Sequence, residues 1–135
     1  MYNKGMLPED TFKNKVVLIT GGGTGLGRSI GEYLIKLGAK IIITSRRQEV
    51  INKTAEEFNE ISKNSTIAIA GDVRNHDDVN NVIETGFKHF KSIDCLINNA
   101  AGNFISPTER LSPGAFDAII DIVLKGTTYY TLLLG

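Results

Sequence analysis

The run Thr20-Gly21-Gly22-Gly23-Thr24-Gly25-Leu26-Gly27 concentrates glycine where an apolar segment ends and a helical pattern begins. Residues without a side chain tolerate positive φ and let main-chain amides approach a phosphate, and a helix starting there favours negative charge. The chemistry this suggests is the holding of a diphosphate. About 20 residues beyond the last glycine, a plain-ribose dinucleotide site places an acid that accepts from the 2′-hydroxyl. Counting from Gly27 reaches Ser45, Arg46 and Arg47, with no acid before Glu49. An acid would repel a 2′-phosphate, whereas a guanidinium pairs with it through two parallel hydrogen bonds. The spacing therefore points to NADP(H), with Arg46 at the phosphate. Arg47 fits equally well in a solvated first turn of a helix.

A second phosphate chemistry competes. Residues 22–29 read G-x-x-x-x-G-R-S, one residue away from the P-loop of nucleoside triphosphatases. Arg28 stands where that loop needs lysine, and no convincing metal-binding acid accompanies it, so this reading ranks second. Asp72-Val73 could meet an adenine ring through side-chain and backbone hydrogen bonds, and Asp72 serves equally as a turn residue. His76 and His89 fall on polar helix faces without a second ligand at metal spacing, which gives no metal site. Asp77 and Asp78 suit a helix N-terminus.

Short apolar runs alternate with helical patterns and supply the frame for these residues. Strands are expected at residues 15–20, 40–44, 66–70 and 94–98, the first two rich in β-branched side chains. Helices are expected at about 26–37, from a Ser45/Gln48 capping box to about 61, from an Asn75/Asp78 cap to about 90, and after Ser112-Pro113. The single Cys95 falls in the fourth strand, where a buried small apolar residue is expected. Leu132-Leu133-Leu134 reads as a core or interface face. Such alternation is an α/β chain with a parallel sheet and right-handed crossovers. In the doubly wound, Rossmann-type arrangement the strand order is 3-2-1-4, with the ligand crevice between strands 1 and 4. Residues 1–135 are then expected to be the N-terminal part of one NADP(H)-binding domain, truncated after the fourth strand and following helix.

Composition narrows the alternatives. The 135 residues are 41% hydrophobic and 22% charged, and fifteen basic residues balance fifteen acidic ones. No basic footprint for nucleic acid or an anionic membrane emerges. No segment reaches the roughly 20 apolar residues of a membrane span. No targeting peptide is visible at the start, and one cysteine rules out an internal disulfide.

Thr20-Gly21-x-x-x-Gly25-x-Gly27, Asp72-Val73 and Asn98-Asn99-Ala100-Ala101-Gly102 together resemble the short-chain dehydrogenase/reductase family. Residues 98–113 (NNAAGNFISPTERLSP) with Asp121-Ile122-Val123-Leu124 resemble its mitochondrial-type 2,4-dienoyl-CoA reductase branch. The resemblance implies NADPH-dependent reduction of dienoyl-CoA thioesters in fatty acid β-oxidation. It implies that Gly21, Gly22, Gly23, Thr24, Gly25 and Leu26 line the pyrophosphate, Arg46 meets the 2′-phosphate and Asp72 the adenine. Asn99 and Ala100 would pack near the adenosine ribose. Arg74, Asn103, Phe104 and Ser112 match acyl-CoA contacts, with Asn103 donating to the thioester carbonyl as the catalytic residue of this stretch. Ser112 also suits a plain N-cap, and Arg74 a surface position.

The family's Tyr-x-x-x-Lys donors are absent from the 135 residues, because Tyr33 is followed by Leu37 and Tyr129 and Tyr130 by Leu133 and Leu134. Val123 stands where ordinary members carry an Asn, a departure consistent with the dienoyl-CoA branch, and Lys125 reads as a helix-surface residue. The isolated chain is therefore expected to be inactive. A homotetramer in the mitochondrial matrix is implied for the whole protein, with peroxisomal or cytosolic placement as alternatives. Two other functions stay open: a short-chain reductase acting on a ketone or 3-oxoacyl substrate, and a non-catalytic NADP(H)-binding fragment.

Overall fold

A computed structural model describes residues 5–102 and 105–135. Four strands, β1 (Val16–Thr20), β2 (Lys40–Ser45), β3 (Thr66–Ala70) and β4 (Cys95–Ile97), form one parallel sheet in the order β3-β2-β1-β4. Helices α1 (Gly25–Lys36), α2 (Gln48–Ile61) and α3 (His76–Phe90) connect them. After β4 come a 3₁₀ turn (Thr108–Arg110), α4 (Pro113–Ile120), a π-helical segment (Asp121–Lys125) and α5 (Gly126–Leu134). Both the alternation and the strand order agree with the sequence expectation.

The two central strands explain the layering. Val17 and Ile19 of β1, beside Ile41 and Ile43 of β2, pack with Ile35, Ile51 and Phe58 from α1 and α2. Val16, Leu18 and Ile42 face the other way, onto Val79, Val82 and Ile83 of α3 and Tyr130 of α5. A parallel strand covered on both faces must be apolar at every position, which is why VVLIT and KIIIT show no polar alternation. Asp94 sets the register of the other neighbour: its amide donates to Val16 O, and its Oδ2 accepts from Val16 N at 2.8 Å.

Two local expectations need correction, at Ser45/Gln48 and Cys95, and two others hold in part. The Ser45/Gln48 capping box does not form: Arg47 occupies the N-cap without a side-chain bond, and Ser45 ends β2 with its Oγ accepting from Arg47 N. Gln48 turns instead along its own helix to Asn52. Cys95 is exposed, because β4 pairs with β1 on one side only and lies at the sheet edge. The leucine run is mostly on the surface: Leu132 is 73% exposed, Leu134 only borders the core, and Tyr130 fills the buried position on α5. Asn75 does cap α3, accepting from Asp77 N and Asp78 N, but Asp78 reaches past it to accept from Asp72 N at 2.9 Å.

Candidate functional site

The carboxyl ends of β1, β2 and β3 open into a cleft of about 380 Å³. Its walls bring together Gly21, Gly23, Thr24, Gly25, Leu26, Arg46, Asp72, Asn99 and Ala100. These come from four separate stretches of chain, and all were singled out in the sequence. The location follows from topology: β1 runs to β2 on one side and β4 on the other, and the chain diverges at that switch.

The glycine turn is shaped by two left-handed residues. Gly21 has φ +67°, and a Cβ there would lie 3.0 Å from Asn99 Nδ2 and 3.1 Å from Ala100 Cα. Gly25 has φ +54° with no heavy atom within 4 Å of an added Cβ, so it borders open space at the first turn of α1. Thr24 is the N-cap of α1 with no side-chain bond, and no acid occupies that first turn. The leading amides of α1 therefore face the cleft without a capping side chain or an acid to answer them. Gly22 does not reach the cleft wall; it is buried where a Cβ would meet Ile43 Cγ2 at 2.5 Å.

Thr20 ties the glycine turn to the chain after β4. Its buried Oγ1 accepts from Asn99 N and Ala100 N, each at 3.0 Å. Asn99 Nδ2 donates back to Thr20 O and Gly21 O at 3.1 and 3.2 Å. The cleft floor is thus one hydrogen-bonded unit spanning almost 80 residues of sequence.

At the other end, Arg46 and Arg47 line the cleft and are exposed, and among the described residues neither takes part in an ion pair. Asp72 sits near them. Its Oδ1 accepts from Arg74 N at 3.0 Å and Arg74 Nε at 2.9 Å, and its Oδ2 from Arg74 Nε at 3.0 Å and from Nη2. The side-chain bonds from Arg74 hold the Asp72 carboxyl below the usual range, and Arg46 adds a smaller pull the same way. Arg74 therefore lies against Asp72 and outside the cleft wall.

Ser112 is likewise away from the cleft, as N-cap of α4, accepting from Ala115 N at 3.2 Å. Asn103 and Phe104 lie outside the described residues. Arg28, the pivot of the P-loop alternative, is turned onto Glu57 of α2 and away from the cleft. Lys125 pairs with Asp121 one turn earlier on the helix, which raises its pKa. Among the described residues no group of three or more His, Cys, Asp or Glu could hold a metal ion.

Sequence reasoning missed Val50 and Gly71, and gave no site role to Thr20, Ser45, Ala101 or Ile122 although it named them within motifs. Thr20 carried a signal, a polar residue closing an otherwise apolar buried strand. Ile122 stood within a resemblance motif, but its place at the cleft follows from the π-helical segment after α4 and not from its spacing.

The glycine cradle, the unanswered helix amides and the unpaired guanidiniums fit a diphosphate with a further anionic group. Comparisons with known proteins agree with this architecture. The family model for short chain dehydrogenases matches residues 15–134. A Caenorhabditis elegans protein named as a probable 2,4-dienoyl-CoA reductase is 44% identical over 134 residues, 98% of this chain and 43% of that protein. A peroxisomal 2,4-dienoyl-CoA reductase of Arabidopsis thaliana is 40% identical over 118 residues, 87% of this chain and 39% of its own. Among solved structures, a Bacillus anthracis short chain dehydrogenase superposes with a TM-score of 0.84 at 41% identity, covering 89% of this chain and 49% of that one. A 3-ketoacyl-(acyl-carrier-protein) reductase from Brucella melitensis, complexed with NADH, gives 0.84 at 29% identity over 90% and 49% of the two chains. The chain spans less than half the length of these curated relatives. Fold, motif positions and family match converge: the chain belongs to the short chain dehydrogenase family.

Proposed function

We propose that this chain forms the NADP(H)-binding end of a reductase acting on 2,4-dienoyl-CoA thioesters. The observation that carries the cofactor half is the α1 N-terminus in one cleft with two guanidiniums that form no ion pair among the described residues. Helix amides at Gly25 and Leu26 would take the diphosphate. Arg46, supported by Arg47, would take the 2′-phosphate, Asp72 the adenine amine, and Asn99 and Ala100 would border the ribose. Bound NADPH supplies the hydride.

The substrate half rests on the resemblance of residues 98–113 and on relatives that carry the dienoyl-CoA reductase name. In this reading Asn103 aims an amide donor at the thioester oxygen, where negative charge develops, and Phe104 and Ser112 border the acyl-CoA. A fixed donor at that oxygen stabilises the charge more than solvent does, because no reorganisation is needed. By the same resemblance, the whole protein would assemble as a homo-oligomer. Mitochondrial matrix and peroxisome are both consistent with this chemistry, and the Arabidopsis thaliana relative's name favours the second.

A 3-oxoacyl reductase is the second reading, and its one support is the 29% identity to the Brucella melitensis enzyme, lower than that to the dienoyl-CoA reductases named above. The test is consumption of NADPH by the intact protein offered a 2,4-dienoyl-CoA or a 3-oxoacyl thioester. Turnover of the dienoyl substrate is expected. Turnover of the 3-oxoacyl substrate alone would transfer the assignment to the second reading, and failure to bind any nicotinamide nucleotide would remove both.

A further inference from the structure

The loop after β3 is built around one carboxylate. An ionised carboxylate offers about four lone-pair sites. Three donors from Arg74, its N, Nε and Nη2, converge on Asp72. The Asp72 amide is fixed separately by Asp78 Oδ2, and Asn75 N donates to Asp72 O, which closes the turn into α3. The single Nε hydrogen is shared between Oδ1 and Oδ2, so three hydrogens are spread over about four lone-pair sites and leave acceptor capacity for one further donor on a carboxylate that lines the cleft, which Arg74 does not. For stability alone the arrangement is extravagant. Arg74 is 38% exposed, and exposed ion pairs contribute little to folding.

We propose that Arg74 is a positioning residue: its guanidinium fork locks the Asp72 carboxylate in the one orientation that accepts the exocyclic amine of a 6-aminopurine. This rests on the assignment of Asp72 to the adenine end of the cleft. A planar fork fixes both oxygens at once, which a point charge on a flexible stem does not do. The remaining acceptor site then discriminates between purines. A 6-amino group donates to it, whereas a 6-oxo group presents a second acceptor and leaves both unsatisfied.

Calorimetric titration with adenosine 2′,5′-bisphosphate and with its inosine counterpart tests this, since both carry the same phosphates. The unaltered protein is expected to prefer the adenine compound by about tenfold or more, the worth of one hydrogen bond to a charged group. Arg74→Ala should compress that ratio to within about twofold, and Arg74→Lys should leave it intermediate. A general loss of structure or of positive charge would weaken both ligands alike and leave the ratio standing. An unchanged ratio in Arg74→Ala overturns the role of Arg74 while leaving Asp72 at the adenine. An unaltered protein that binds both compounds equally removes the Asp72 assignment and this inference with it. Binding of neither compound removes the dinucleotide reading of the whole cleft.

Discussion

Replacing Thr20 by valine removes one oxygen and almost no volume, so its cost isolates what that hydroxyl does. Thr20 is 2% exposed, and its Oγ1 accepts from Asn99 N and Ala100 N at 3.0 Å each. Valine keeps the β-branched shape that the end of β1 accommodates, so neither strand propensity nor a cavity enters. What changes is that two main-chain donors lose their acceptor. A donor left unsatisfied in the interior costs about 1–3 kcal/mol. Asn99 and Ala100 are only half-buried, so water recovers part of it, and the expected loss is about 2–3 kcal/mol for the pair. For a chain of this length that is a fall in Tm of roughly 10 °C. Because these amides belong to the wall opposite Gly21, nucleotide affinity should fall as well, by about tenfold. Thr20→Ser is the control: it keeps the acceptor and gives up one methyl, about 1 kcal/mol. Thermal and urea unfolding, with nucleotide titration on the same samples, measure all of this. If serine costs as much as valine, or if valine costs less than about 0.5 kcal/mol, the hydroxyl does not hold the floor of the cleft and the reasoning fails.

Two further outcomes follow from the same geometry. Arg46→Ala should weaken NADP(H) by about 10- to 100-fold, the worth of a guanidinium–phosphate pair, and leave NAD(H) nearly unchanged, as parallel titrations of the two would show. Burial pushes the Tyr130 phenol up to about 12, with a smaller opposing pull from Thr44, although no contact between the two meets hydrogen-bond geometry and Thr44 Oγ1 has no partner among the described residues. Because the folded value is raised, Tyr130 favours the folded state fully below about pH 10, and that contribution is lost as pH rises from there through about 12. Urea melts across the alkaline range should therefore show a falling limb of about 2 kcal/mol that Tyr130→Phe lacks.

Much of the architecture was legible because burial on both faces leaves a blunt mark. Runs such as VVLIT and KIIIT, spaced by helical periodicity, admit few arrangements other than a covered parallel sheet. Glycines between β1 and α1 were legible for a conformational reason, since φ of +67° at Gly21 and +54° at Gly25 is a left-handed backbone that most side chains avoid. What escaped depended on choices that the chain makes only in three dimensions. Ser45 and Gln48 have capping-box spacing, yet β2 extends through Ser45 and consumes the N-cap position. Gly22 reads like its neighbours, but its missing side chain makes room for Ile43 rather than for a ligand. Arg74 matches an acyl-CoA contact by resemblance, and its pairing with an acid two residues away is a contact that the spacing alone does not announce. The last helix was placed correctly at Ser112 and Pro113, but its π-helical turn, which aims Ile122 at the cleft, has no sequence signature.

The charges around the cleft make sense only when taken as a set. If the cleft selects a 2′-phosphate as proposed, an acid nearby works against it, and Arg46 lies close enough to Asp72 to help lower the pKa of its carboxyl. Left to itself, Asp72 would offset one of the two guanidiniums that the proposal gives to the 2′-phosphate. Arg74 resolves the conflict by neutralising Asp72 at contact distance, where solvent screening is weakest, so that the field of Arg46 and Arg47 remains net positive. The carboxylate keeps its directional role as an acceptor while its charge is spent on a neighbour outside the wall. Under the proposed assignment, one acid can then stand at the purine end of a cleft that must also attract anions, and the third arginine makes the two demands compatible.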